Sequence, residues 1–110
     1  MTLAIGIIAN DGLALASDSR ATIGDPRGPT TVNDTVQKIF KITDFSGLAI
    51  AGDGGLGISI FDAFMRELHK KPNYNNFSID EIVSLLRNSC IAKYDEWFPH
   101  LKPDERPVLA

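Results

Sequence analysis

Residues 3–19 read Leu3-Ala4-Ile5-Gly6-Ile7-Ile8-Ala9, Asn10-Asp11-Gly12, Leu13-Ala14-Leu15-Ala16-Ser17-Asp18-Ser19. Two short apolar runs, each rich in side chains that fit a pleated surface, flank three turn formers, a combination that predicts an antiparallel hairpin. Neither run alternates cleanly between apolar and polar residues, so both strands are expected to have two covered faces. An antiparallel sheet that begins in this way and is followed by helices belongs to the α+β class.

Working outward, residues 23–33 carry Gly24, Pro26, Gly28 and Pro29, a density of turn formers that predicts a loop. Val36 to Ile42 alternates, with Val36, Lys38, Phe40 and Ile42 on one face and Gln37, Ile39 and Lys41 on the other, as a strand requires. After a turn at 43–46, Gly47 to Ala51 supplies a fourth strand. The elbow Gly52-Asp53-Gly54-Gly55 then leads into a helix over 56–70, where Ile60, Phe61, Phe64, Met65 and Leu68 fall at helical spacing and beyond which Pro72 stops the pattern. A second helix starts at Ser78-Ile79-Asp80-Glu81, a capping box, with Phe77 placed to staple onto Ile82. Ile82, Leu86, Cys90, Tyr94 and Trp97 line one of its faces up to Pro99. The tail around Pro103 and Pro107 is charged and predicts a surface loop, after which Val108-Leu109-Ala110 opens a further apolar run. A strand beginning there is expected to continue, so residues 1–110 are expected to be the N-terminal part of one larger domain.

Composition narrows the functions available. With 110 residues, 44% hydrophobic and 23% charged, the chain has the make-up of one soluble globular unit. A net charge of −3 leaves no positive field for a phosphate backbone, which argues against a nucleic-acid partner. A single cysteine, Cys90, cannot close an internal disulfide, and the distant His69 and His100 form no ligand cluster, so no metal or other cofactor is expected and a reducing cytoplasm suits the chain. The apolar stretch 3–9 lacks a preceding basic residue and is too short to span a bilayer, so no membrane association is expected. The sequons Asn33-Asp34-Thr35 and Asn76-Phe77-Ser78 are read as chance matches in a protein without a secretory route.

Four segments together resemble the β subunits of the proteasome, members of the N-terminal-nucleophile (Ntn) hydrolases: Thr2 to Gly6, Gly12 to Thr22, Gln37 to Ile42 and Gly47 to Gly52. The resemblance covers residues 2 to about 70, and no single piece of it is specific alone. It implies the four-layer αββα sandwich of that family, of which hairpins followed by two helices form the first half; family members run to nearly twice this length. It also implies a threonine-type endopeptidase in a ring of identical subunits, with α-type subunits or an ATPase as partners and unfolded polypeptide or peptide as substrate.

The chemistry begins at Thr2. Once Met1 is removed, the residue's own α-amine is the base for its hydroxyl. Such an amine has an unperturbed pKa of about 7.7–8.0, so it can accept a proton near neutrality without a histidine. Lys38 shares a strand face with apolar residues, where an ammonium needs a partner, and a cation held there lowers the pKa of a neighbouring amine and hydroxyl. The resemblance makes it the active-site lysine. Asp18 follows the small residues Ala14 and Ala16 on its face and is the natural counter-ion. Gly52 is the expected oxyanion donor through its backbone N–H. By resemblance, Arg20 supports the site, Thr22 bonds substrate main chain, and Ala21, Ile50 and Gly54 contribute to the side-chain pocket.

A geometric condition follows from the hairpin. A three-residue loop, Asn10 to Gly12, sets Ala4 opposite Asp18, puts Thr2 and Asp18 on one face and places Gly12 at positive φ; an Asp11-Gly12 loop separates them. The catalytic reading therefore predicts the longer loop. Two features depart from the family pattern: the segment before Lys38 is longer than in many relatives, and Asp53 adds a carboxylate beside the oxyanion donor.

Three other functions compete. Gly52-Asp53-Gly54-Gly55-Leu56-Gly57 fits the dinucleotide-binding fingerprint. That fold needs a second parallel strand after the helix, whereas here Pro72, a polar loop and another helix follow. A non-catalytic ring subunit has no need for both Lys38 and Asp18. An Ntn-type small-molecule amidase shares the mechanism and differs only in substrate.

Overall fold

The computed structural model describes residues 2–25 and 27–109. Met1, Pro26 and Ala110, which enter the sequence reading as the residue to be removed, a turn former and the end of an apolar run, lie outside the described residues. Six strands come first, then two helices, with short 3-10 turns at Tyr74–Asn76 and Pro103–Glu105. The strands form three antiparallel hairpins: β1 (Ala4–Ala9) with β2 (Gly12–Ser17), β3 (Ala21–Asp25) with β4 (Gly28–Asn33), and β5 (Ile39–Thr43) with β6 (Ser46–Ala49). An α+β architecture of hairpins and two helices matches the expectation for the first half of the sandwich.

The first hairpin departs from the expected register. Ala9 pairs with Gly12, so the turn is the two residues Asn10-Asp11, and Ala4 lies opposite Ser17. Gly12 is the first residue of β2, and among the described residues positive φ occurs only at Asn73, Gly28 and Gly52. Asn10 and Asp11 close the turn without left-handed backbone, so the glycine is free to start the strand. As a result Leu3, not Ala4, stands across from Asp18, whose amide donates to the Leu3 carbonyl at 3.1 Å. Strand alternation then puts Thr2 on the opposite face from Asp18, contrary to the shared face the sequence reading required.

The expected loop at 23–33 is instead part of a hairpin. Asp25 pairs with Gly28, whose φ of 130° supplies the turn, and the pairing shifts register between Ile23 and Gly24. Gly24 and Pro29 face each other at that irregularity, where a proline without an N–H is tolerated. The β-branched residues Thr22, Ile23, Thr30, Thr31 and Val32 carry the strand propensity that the glycines and prolines obscure.

The helices build the core. In α1 (Gly54–His69), Asp53 is the N-cap: its carboxylate accepts from the Leu56 amide at 2.9 Å. Leu56, Ile60, Phe64 and Leu68 recur every four residues and are buried. In α2 (Ile79–Trp97) the capping box forms as expected, with Ser78 and Glu81 satisfying each other's backbone N–H. Ile42 of β5, Phe64 and Leu68 of α1 and Ile82 of α2 form the buried cluster, against which Leu48, Phe61, Phe77 and Leu86 pack. On the predicted α2 face Ile82 is buried and Leu86, Cys90 and Tyr94 are half-buried, while Trp97 is 41% exposed.

Candidate active site

The site lies where the ends of β1 and β2 meet the start of β5. Two backbone bonds bring the segment carrying Lys38 to this place: Val36 N–H donates to Ser19 O, and Ile50 N–H donates to Lys38 O, each at 2.9 Å. The strand predicted over 36–42 begins only at Ile39, so Lys38 precedes it; Lys38 and Ile42 are buried and Gln37 and Lys41 exposed as the alternation requires, while Ile39 and Phe40 are both half-buried. Lys38 is only 8% exposed, so its ammonium must be neutralised and solvated by protein groups.

Asp18 does so. The Lys38 Nζ lies 3.1 Å from each Asp18 oxygen and also donates to the Arg20 carbonyl at 2.5 Å. The same Asp18 Oδ1 accepts from the Leu3 amide at 3.0 Å. A backbone hydrogen bond from Leu3 and then the hydrogen bond from Lys38 hold the Asp18 carboxyl below its ordinary value. One carboxylate thus joins a buried cation to the peptide N–H that directly follows Thr2. Thr2 itself is half-buried.

The other expected residues fall in different places. Arg20 contributes its carbonyl to Lys38, while its guanidinium turns to Asp34, with Nη2 3.2 Å from Oδ2 in a largely exposed pair. Ser19 Oγ donates to the Asp34 carbonyl at 2.7 Å, so Asp34, which the sequence marks only as part of a chance sequon, ties the base of the second hairpin to the end of the first. Ala21 is half-buried and Thr22 exposed, both on β3 and paired with Asn33 and Val32. Ile50 is half-buried and sits against α1: a Cβ added at Gly57 would lie 2.7 Å from Ile50 Cγ2. Gly54 is exposed at the first turn of α1, with open space around it.

Gly52 has φ 103° and forms an isolated antiparallel bridge with Leu109. A Cβ there would lie 2.5 Å from the Val108 carbonyl oxygen, so only glycine fits. The Asp53 carboxylate, read from sequence as a burden on this elbow, is committed to capping α1. Its position three residues before Leu56 at a helix start was a usable signal for that role. Among the described residues, no group of three His, Cys, Asp or Glu side chains could hold a metal ion, and no helix is long and apolar enough to cross a membrane.

Comparison with known proteins agrees with this architecture. The chain is 34% identical over 89 residues to the proteasome subunit beta of Methanosphaera stadtmanae, covering 79% of this chain and 42% of that protein. It is 31% identical over 114 residues to proteasome subunit beta 1 of Thermococcus onnurineus, covering 98% of this chain and 54% of that one. With the proteasome subunit beta of Methanothrix thermoacetophila the identity is 33% over 102 residues, covering 91% and 46%. The chain therefore spans about half the length of the relatives it matches. No solved structure gives a significant match. The sequence profile of the proteasome subunit family matches residues 2–94, and the chain belongs to that family.

Proposed function

We propose that the full-length protein is a threonine-type endopeptidase subunit of a cytoplasmic proteasome-like ring, acting through Thr2 after removal of Met1. In this reaction the freed α-amine takes the proton of the Thr2 hydroxyl as its oxygen attacks the substrate carbonyl carbon. The Gly52 N–H stabilises the resulting oxyanion. Collapse expels the amine half of the peptide, which takes the proton from the ammonium of Thr2, and water then hydrolyses the ester by the same route in reverse. In this reading Lys38 lowers the pKa of the Thr2 amine and hydroxyl, and Asp18 keeps Lys38 in place. Unfolded polypeptide is the proposed substrate. Identical β-type subunits are the proposed neighbours, with α-type subunits or an ATPase completing the particle.

The observation that best supports this reading is the Leu3–Asp18–Lys38 connection, with bonds of 3.0 and 3.1 Å. It fixes the backbone next to Thr2 to a buried cation, an arrangement that a purely structural subunit has no use for. The test is steady-state cleavage of a fluorogenic peptide by assembled full-length protein. Thr2→Ala should abolish turnover while leaving the assembly intact, and Lys38→Ala should lower kcat by at least about a hundredfold. Turnover that survives Thr2→Ala would remove the proposal. Turnover of small amides but not of peptides would favour the amidase reading.

A further inference from the structure

The bridge between Gly52 and Leu109 depends on the segment that follows α2, and that segment is fastened to α2 at two points, through Tyr94 and Asp95, and braced internally by Arg106 on Leu101. Tyr94 Oη donates to the Pro107 carbonyl at 2.5 Å in a part-buried contact. Arg106 Nε donates to the Leu101 carbonyl at 3.3 Å, and its Nη1 pairs with Asp95 at 3.1 Å. Arg106 is 18% exposed and Asp95 65%, so the guanidinium is confined while the carboxylate side of the pair opens to solvent. Immediately beyond the clamp come Val108 and Leu109. The Val108 carbonyl and the Leu109 Cα would lie 2.5 and 3.2 Å from a Cβ at Gly52, and Leu109 Cδ2 would lie 3.8 Å from one at Gly57. The elbow at Gly52 is therefore packed from one side by a strand end whose position is set by two side chains more than 40 residues away in sequence.

We infer that Tyr94 and Arg106 are positioning residues, which clamp residues 101–107 onto α2 and so hold Val108–Leu109 against Gly52 in the backbone geometry the oxyanion donor needs. Neither side chain touches substrate. They act through Gly52, and the inference rests on the proposed role of the Gly52 N–H. Burial, followed by the nearby Cys90 and Asp53, pushes the Tyr94 phenol up, which keeps it a donor to Pro107 across the neutral range. A donor displaced by about 1 Å costs of order a hundredfold in rate, so a partly released clamp has a readable effect.

The test uses Tyr94→Phe and Arg106→Gln in assembled full-length protein. Two quantities are read: deuterium uptake of the peptide containing Gly52 and Asp53, and kcat and KM for a fluorogenic peptide. Both variants should raise exchange at Gly52–Asp53 and lower kcat by about tenfold with KM and the pH profile unchanged, because the attacking group and its base are untouched. Unchanged exchange in both variants overturns the clamp, whatever happens to turnover. Raised exchange with unchanged kcat overturns the positioning role. Raised exchange in a protein whose wild type shows no turnover, or turnover that survives Thr2→Ala, leaves the clamp standing as structure and overturns the reaction to which it is coupled.

Discussion

Two donors converge on the Asp18 carboxylate, the Leu3 amide and the Lys38 ammonium, and each prefers it ionised. Its folded pKa is therefore below the ordinary value of 3.8. A depressed carboxylate contributes stability that is present above its unfolded pKa and is lost as pH falls through the folded one. The acid limb of a stability profile should accordingly become shallower below pH 3.8 in Asp18→Asn, and the Asp18 carboxyl carbon followed by NMR in the wild type should titrate below that value. A titration at or above it would mean that neither bond persists in solution. Lys38 allows a sharper comparison. Removing one member of a buried pair strands the other, whereas replacing the cation by an apolar side chain of similar size does not. Lys38→Met should therefore unfold at a higher denaturant concentration than Asp18→Ala, even though both lose activity. The reverse order would mean that the ammonium is solvated without Asp18.

At the scale of the element, the elbow between β6 and α1 combines a glycine that must adopt positive φ, an N-cap and a tight helix-to-strand contact. Asp53→Ala should cost about 1 kcal/mol by loss of the cap, and Asp53→Asn should retain most of it, since asparagine caps as well as aspartate. Equal losses in the two variants would mean that the negative charge at the helix start, not the cap, is what Asp53 supplies. Gly57→Ala would improve helix propensity by about 1 kcal/mol in an unhindered helix. Here the added Cβ would meet Ile50 Cγ2 at 2.7 Å, so the net effect should be a loss of about 1–3 kcal/mol from overpacking. Ile50→Ala should relieve part of that loss in the double variant, measured by denaturant unfolding; strict additivity would deny the contact.

The same elements show what a sequence can and cannot disclose. The helices, the capping box at Ser78 and the inward Lys38 are legible because periodicity and capping are local properties. The pairing of Lys38 with Asp18 is legible because a buried cation demands a partner and Asp18, after the small residues Ala14 and Ala16, stands where the resemblance places an aspartate. The turn at Asn10-Asp11 was misread because Asn-Asp-Gly offers a choice of loop lengths, and moving the loop by one residue reverses every face relation along the hairpin. The hairpin at 21–33 was hidden by Gly24, Gly28 and Pro29. Their effects on a turn and on a register shift look identical in composition to a loop. The contact of Val108–Leu109 with Gly52 spans over half the chain and has no local signal at all.

For the whole molecule, shape matters more than any single bond. The radius of gyration is 15.5 Å, against about 13 Å for a compact domain of this length. The accessible surface is 7883 Å², against roughly 6,000 Å² for a folded monomer of this mass. Large apolar side chains lie on that surface. All of β1 is exposed, with Ile5 at 50%, Ile7 at 61% and Ile8 at 89%. A polypeptide comprising residues 1–110 should therefore self-associate, and Ile5→Lys with Ile7→Lys should shift it toward monomer in sedimentation velocity. A wild-type polypeptide that sediments as a monomer and unfolds in one cooperative step would contradict the exposure of that face.

Thr2 carries the central claim, and covalent capture tests it most directly. Assembled full-length protein is treated with a peptide electrophile that bonds to both the hydroxyl and the free α-amine of an N-terminal threonine, then intact mass and the modified residue are determined. The account predicts loss of Met1 and one adduct per subunit, located at Thr2 and absent from Thr2→Ala. Retention of Met1, or an adduct at any other residue, would contradict it.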